Sequence, residues 1–322
     1  MKIAVTGANG FVGSGLLGHF MALGHDPVAL IRKGADTSRL TGIEQREVDY
    51  RSQDSLLHAL GDVDILIHNA GSTKAASYEQ MYQSNVALTR DLIQAFNQAS
   101  LPRQFILISS QAASRPSSGK TPVTEDMPSA PVTWYGKSKQ RAEELVRRSC
   151  GKAWTILRPC PIYGPGDKDF LELAKIINKG LSLQIGSQDK FLNMIYISEL
   201  AELITLALDN PKAFGEVFFA LDGGVYTQNQ VSDLIASALG KNPFHIVIPD
   251  QLARIAFSLG EVIGKLKGKP LVVNKQKQNE IMADGWLCSG QKARDILGFA
   301  PQADLQTHLK ETIAWYKEQH WL

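Results

Sequence analysis

Lys2-Ile3-Ala4-Val5-Thr6-Gly7-Ala8-Asn9-Gly10-Phe11-Val12-Gly13 opens the chain and decides its fold. Lys2–Val5 is a short apolar run that reads as a buried strand. Beyond the glycines, Leu16, Leu17, Phe20 and Leu23 recur at helical spacing until Gly24 stops the pattern. A strand, a glycine-rich turn and a helix make a phosphate cradle. Gly7 permits the tight turn, Gly10 lets a pyrophosphate approach the backbone, and Gly13 lets the helix pack close to the strand. The helix N-terminus, with Phe11 and Val12 in its first turn, adds unpaired N–H groups and the positive end of a dipole. Three glycines alone mark only a turn; the strand before and the helix after make this a dinucleotide-binding motif.

The alternation continues downstream. Strands are predicted at Lys2–Val5, Val28–Ile31, Glu44–Val48, Ile65–His68, Phe105–Ser109 and Thr155–Leu157, and helices at Gly10–Leu23, Ser52–Leu60, Tyr82–Ala99 and Tyr135–Ser149. Repeated βα units imply an α/β fold, a doubly wound parallel sheet with helices on both faces. After Pro165 the alternation weakens. Phe170–Asn178, Ser198–Leu208 (capped by Ser198) and Gln228–Leu239 read as helices, and Val217–Ala220 as a strand returning to the sheet. Ala112–Pro131, rich in Ser, Pro and Thr, reads as a mobile loop beside the site.

Tyr135-Gly136-Lys137-Ser138-Lys139 opens a helix. Tyr135 and Lys139 are four residues apart and share one face. An ammonium near a phenol favours phenolate, which turns a poor acid into a usable general acid/base. Ser109 and Ser110 end the apolar run Phe105–Ile108. Hydroxyls at the C-terminal end of a parallel strand lie where open α/β sheets place their ligands.

On these residues the chain resembles the extended short-chain dehydrogenase/reductase superfamily over nearly its whole length. His68-Asn69-Ala70-Gly71, Asn85, the run from Leu157 to Asp167, Tyr196–Ala201 and Ala293–Phe299 also carry the resemblance. It is nearest the bacterial branch of 3β-hydroxysteroid dehydrogenases and dihydroflavonol reductases, from which Cys160 departs where proline is frequent. The resemblance implies a Rossmann domain over residues 1–165, to which about 190–222 return. It implies a smaller C-terminal substrate lobe built from about 166–189 and 223–322. Ser110, Tyr135 and Lys139 become the catalytic set, Lys139 also holding the nicotinamide ribose. Asn69, Ala70 and Gly71 become the ribose wall, and Asp49 the partner of the adenine amino group. Ser109, Pro159 and Ile162 join the cofactor contacts, Ile162 through its N–H. Asn85 is either the family's helix-embedded asparagine or a satisfied polar residue. A homodimer is implied through Val86–Ala99 and Ala142–Arg148, with Leu88, Leu92, Ile93 and Phe96 as packing residues.

Composition is that of an ordinary globular enzyme: 322 residues, 44% hydrophobic and 20% charged, with a net charge of +2. That charge suggests no nucleic-acid partner. Cys150, Cys160 and Cys288 are few and scattered, which fits a reducing cytosol and suggests neither disulfides nor a metal site. No signal-peptide core or membrane-spanning run is apparent, so a cytoplasmic location is expected.

Ala29-Leu30-Ile31-Arg32-Lys33-Gly34 lacks the acid that holds the 2′-hydroxyl of NAD. Arg32 is suited to a 2′-phosphate, so NADP is favoured, with NAD open. For the substrate three readings stand. The first is a reductase or dehydrogenase of an apolar secondary alcohol or ketone. The second is a nucleotide-sugar epimerase or dehydratase, and the third a non-catalytic dinucleotide-binding protein. Leu192 occupies the place of an arginine typical of sugar epimerases, with Lys190 as a possible replacement. Phe191, Leu192, Met194 and Trp286 suggest an apolar pocket or core. Arg158 serves substrate or pairs with a buried carboxylate. In 250–269, Leu252, Ile255, Ala256, Leu259, Val262, Ile263 and Leu266 share a helix face, followed by Lys265, Lys267 and Lys269. That segment is a packed helix, a lid or a membrane-surface helix.

Overall fold

The computed structural model describes residues 1–186, 189–266, 275–301 and 304–322. In chain order the first half forms β1 (Lys2–Thr6), α1 (Phe11–Ala22), β2 (Asp26–Ile31), β3 (Glu44–Glu47), α2 (Gln53–Ala59) and β4 (Ile65–His68). α3 (Tyr78–Tyr82), α4 (Leu88–Gln98), β5 (Gln104–Ile108), α5 (Trp134–Ser149) and β6 (Ala153–Pro159) follow. The second half supplies β7 (Ile162–Tyr163), α6 (Lys168–Asn178), β8 (Leu181–Ile185), β9 (Phe191–Leu192), β10 (Ile195–Tyr196), α7 (Ile197–Ala207) and β11 (Glu216–Ala220). It ends with β12 (Tyr226–Thr227), α8 (Gln228–Leu239), β13 (Phe244–Ile248), α9 (Asp250–Leu266), α10 (Lys275–Ile281), β14 (Gly285–Trp286), α11 (Gln291–Leu297) and α12 (Leu305–Glu318).

Seven parallel strands form one sheet in the order β11-β6-β5-β4-β1-β2-β3. The chain builds outward from β1 in one direction and from β4 in the other. The doubly wound fold therefore reverses between β1 and β4, which is where such sheets open a ligand crevice. Alternation along each strand serves both faces. Ile3, Val5, Ile65, Ile67, Ile106 and Ile108 pack with α1, α7 and α11. Ala4, Leu66, Phe105 and Leu107 pack with α2, α4 and α5 on the other face. A third core joins α6, α8 and α12 around Tyr163, Ile177, Ile235, Leu309 and Tyr316.

Several expectations need correction. The helix predicted at Tyr82–Ala99 starts at Tyr78 and widens into a π turn over Gln83–Ala87 before α4. Ser198 does not cap α7: the helix begins at Ile197, and Glu199 Oε2 accepts the Tyr196 N–H at 3.2 Å. The stretch Ala112–Pro131 is tied down along its length. Ser117 N–H donates to Gly285 O, Val123 N–H to Leu287 O and Ala130 N–H to Ser114 O. Leu92, Ile93 and Phe96 lie buried inside the subunit's own core, with Ala142 and Val146 of α5. The exposed residues of that helix pair are polar, among them Arg90, Gln94, Asn97, Gln98, Lys137, Arg141, Arg147 and Arg148. In α9, Ala253 and Phe257 turn inward while Leu252 and Ile255 are exposed. Lys267 and Lys269 lie outside the described residues. Among the described residues no helix is long and apolar enough to cross a membrane.

The first turn sets the tightest packing. A Cβ at Gly13 would stand 2.2 Å from Gly7 O, whereas one at Gly10 would meet only Gly7 O at 3.3 Å. Gly13→Ala should therefore cost about 1–3 kcal/mol of unfolding free energy by overpacking, and Gly10→Ala clearly less. Chemical denaturation of the two variants checks this, and equal losses would refute the packing account.

Candidate active site

The crevice between β1 and β4 is lined by two turns. Gly7 adopts φ +67°, and a Cβ there would come within 2.9 Å of Ala70 Cα. Only glycine allows the turn after β1 to press on the Asn69-Ala70-Gly71 turn after β4. At the start of α1, Gly10 is the N-cap and supplies no side-chain cap. By contrast Ser52, Thr133, Asp167 and Thr227 cap their helices through side chains. The open first turn of α1, at Phe11 and Val12, thus keeps amides available to an anion, and this fits a dinucleotide pyrophosphate.

One hydroxyl ties the two turns together. Thr6 Oγ1 accepts N–H donations from Asn69 at 3.1 Å and Ala70 at 3.0 Å, and lies 2.8 Å from His68 Nδ1. Having accepted twice, it donates its own proton to Nδ1. His68 then carries its proton on Nε2 and donates to Thr89 Oγ1 at 2.9 Å. Thr89 in turn donates to Asn85 O at 2.6 Å. Asn85 stands in the π turn and reaches further. Its Oδ1 accepts the Ser72 N–H at 2.7 Å, and its Nδ2 donates to Ser138 Oγ at 2.8 Å. Ser138 Oγ donates to Tyr135 O at 2.7 Å. A polar chain thus runs from the turn after β1 to the first turns of α5.

Ser110, Tyr135 and Lys139 meet at the C-terminal end of β5. A Cβ on Gly136 would lie 2.1 Å from Ala112 O, so this glycine lets α5 press on the short turn after Ser110. Thr133 Oγ1 caps α5 by accepting the Gly136 N–H at 3.0 Å. Burial raises the Tyr135 phenol above its ordinary value, and hydrogen bonding with Ser110 pulls it back. The expected depression of this phenol by Lys139 is not found, because desolvation dominates. Lys139 is itself buried, with Nζ donating to Ile108 O at 2.7 Å. Burial pushes its ammonium down to about 8, and the Glu143 carboxylate opposes that.

Ser109 follows β5, its hydroxyl donating to Glu143 Oε1 at 2.6 Å. Glu143 also pairs with Arg158 Nη2 at 2.7 Å, which settles Arg158 as the partner of a buried carboxylate. Arg32 and Lys33 are exposed beyond β2 and have no ion pair among the described residues. Asp49 is exposed after β3, its Oδ1 accepting the Arg51 N–H at 3.0 Å. Pro159 is buried at the end of β6, and Ile162 is half-buried in β7.

The C-terminal half meets the start of α5 through Gln276 and Asn279. Met194 is core, not pocket lining. Lys190 Nζ donates to Ile281 O at the end of α10, so it is engaged in holding that helix.

The model of the NAD dependent epimerase/dehydratase family matches residues 3–219. The chain belongs to that family. It is accordingly an enzyme of the dinucleotide-dependent oxidoreductase, epimerase and dehydratase kind. It is 27% identical to the ceramide reductase of Caulobacter vibrioides, over 99% of this chain and 96% of that protein. It is 28% identical to the UDP-glucose 4-epimerase of Vibrio cholerae, over 97% of this chain and 94% of that protein. In fold it resembles the UDP-glucuronic acid 4-epimerase of Bacillus cereus, with a TM-score of 0.79 at 20% identity, covering 99% of this chain and 100% of that one.

Thr6, Thr89, Gly136 and Ser138 were not singled out from the sequence. Gly136 alone carried a signal, as a glycine at the start of a helix. The others are common polar residues whose meaning is their partners.

The His68 tautomer has a consequence in acid. Burial, then the charge of Lys139, lowers its pKa from 6.5 to about 3. Between those values the unfolded chain binds the proton and the native state does not. The stability His68 contributes is thus complete above pH 6.5 and is lost as pH falls toward 3. Asp167, raised to about 6 by burial, acts in the opposite sense over part of that window. The difference between wild type and His68→Gln isolates the effect. It should slope by about 1.4 kcal/mol per pH unit in denaturation titrations, and a flat difference would refute the neutral histidine.

Proposed function

We propose that this protein is an NADP(H)-dependent reductase or dehydrogenase that interconverts a secondary alcohol and a ketone on an apolar small molecule. The convergence of Ser110, Tyr135 and Lys139 on the end of β5 carries this reading. When bound, the dinucleotide supplies or accepts a hydride. The Phe11 and Val12 amides would hold its pyrophosphate, and the Asn69–Gly71 turn its ribose. In reduction, Tyr135 delivers a proton to the carbonyl oxygen as negative charge builds there, and Ser110 hydrogen-bonds that oxygen. Lys139 supports the phenolate left behind. Proton flow reverses for oxidation.

Epimerisation or dehydration of a nucleotide sugar is the second reading, favoured by the likeness to UDP-glucose 4-epimerase. It needs cations against a diphosphate. Leu192 stands where an arginine would serve and Lys190 is engaged with α10, which supports the first reading.

Tyr135→Phe removes only the hydroxyl. It should leave cofactor affinity unchanged and reduce turnover by about 10²–10⁴-fold. Near-normal turnover on a substrate of the wild type would refute the mechanism. Arg32→Asp should weaken NADP binding selectively, by roughly 1.5–3 kcal/mol. Titration with both dinucleotides checks this, and an equal loss for NAD would remove Arg32 from the phosphate's surroundings.

A further inference from the structure

A carboxamide beside Ser110 is left with an unused donor. Ser110 Oγ accepts the Ala112 N–H at 3.1 Å, which fixes the short turn after β5 and leaves the serine proton to be donated elsewhere. Gln111 opens that turn, and α5 presses on it where Gly136 meets Ala112. Gln111 is only 7% exposed, and its Oε1 accepts from the Cys288 thiol at 3.6 Å. Cys288 is itself held. Its N–H donates to Asn193 Oδ1 at 2.7 Å, and its neighbours Leu287 and Ser289 both pair with the main chain of Val123. Cys288 packs in an apolar cluster with Cys160, which follows β6, and with Phe219 and Leu221 at the end of β11. The contact between Gln111 and Cys288 therefore lies at the carboxyl ends of β5, β6 and β11, the edge where such a sheet places its ligand. With Oε1 turned to the thiol, Nε2 is turned away from it. Nε2 has no hydrogen-bond partner among the described residues, yet it is not sealed from water. A donor this enclosed gains most from an acceptor that a bound molecule brings.

We propose that Gln111 is a specificity-determining residue whose Nε2 donates to a second, uncharged oxygen of the substrate, carried close to the reacting carbon. The inference rests on the oxidoreductase reading above. Ser110 and Gln111 then offer two donors from consecutive residues, the serine to the reacting oxygen and the carboxamide to its neighbour. A ketone with an ester, amide or second carbonyl nearby satisfies both. A plain ketone leaves Nε2 without a partner, and a site built to hydrogen-bond a group discriminates against the analogue that lacks it.

The test uses matched pairs of β-keto esters and plain ketones of equal length, over several chain lengths, with NADPH and NADH supplied. An ester raises the intrinsic reactivity of the ketone, so the readout is the change in the ester-to-ketone ratio of kcat/KM between variants. Gln111→Met keeps the length of the side chain and removes its donor, and should lower that ratio by roughly tenfold. Gln111→Glu keeps an acceptor for the Cys288 thiol but loses the donor, so it should lower the ratio as well. A purely structural role for the contact with Cys288 would leave the ratio unmoved in Gln111→Glu. The ratio is internal to each protein, so partial loss of folded enzyme cancels. A ratio unchanged in either variant overturns the inference and leaves the reductase reading standing. No turnover of any pair by the wild type overturns the reductase reading, and the inference falls with it.

Discussion

The site hangs from one buried hydroxyl. Thr6 ends β1 and holds both backbone amides of the turn after β4. Its proton goes to His68, which continues the chain to Thr89 and Asn85. Thr6, His68, Thr89 and Asn85 are all buried, so a bond lost among them would leave a polar atom without water to replace it. Such a network sets relative positions because its buried donors and acceptors are satisfied by one another. The crevice between β1 and β4 is therefore a consequence of strand order, but its exact width is a consequence of Thr6.

The π turn at Asn85 belongs to the same constraint. A regular helix would not present Asn85 at once to Ser72 and to Ser138 on α5. One extra residue in the turn pushes the side chain out to reach both, an irregularity often seen at functional sites. The cost in helix geometry is offset by fixing the loop beside Lys139 and the first turns of α5 together. Gln276 adds a tie from the far side by taking the Trp134 amide, which the helix itself leaves unpaired. The start of α5 is thus held from the π turn by Asn85, from its own Thr133 and from α10.

The parts legible in the sequence are those with a period or a forced residue. Alternating apolar strands located the seven-stranded sheet, and the glycines at 7 and 13 located the turn that only glycine allows. Tyr135 and Lys139 were visible because helical spacing puts them on one face. The remainder depended on partners distant in sequence. Ser109 looked like its neighbour Ser110 until Glu143 claimed its hydroxyl. The polar composition of Ala112–Pro131 suggested mobility, yet backbone bonds to Gly285 and Leu287 hold it. α10 carries no motif, and only its tertiary contacts bring it to the site.

One turn beyond Lys139 lies a buried ion pair between Glu143 and Arg158. Such pairs contribute little to stability compared with well-packed apolar residues, since both charges lose their hydration. A stability argument therefore does not account for this one. Its position does. Glu143 follows Lys139 by one helical turn, and its charge opposes the desolvation that would otherwise strip the ammonium of its proton. At neutral pH, a Lys139 held at about 8 is still mainly protonated. Arg158 and, at 3.3 Å, Arg147 both pair with the Glu143 carboxylate, and Ser109 donates to it as well. The carboxylate thus sets cations on one side and the Lys139 ammonium on the other, and among the described residues it is the one group shown to oppose the burial of that ammonium beneath the end of β5.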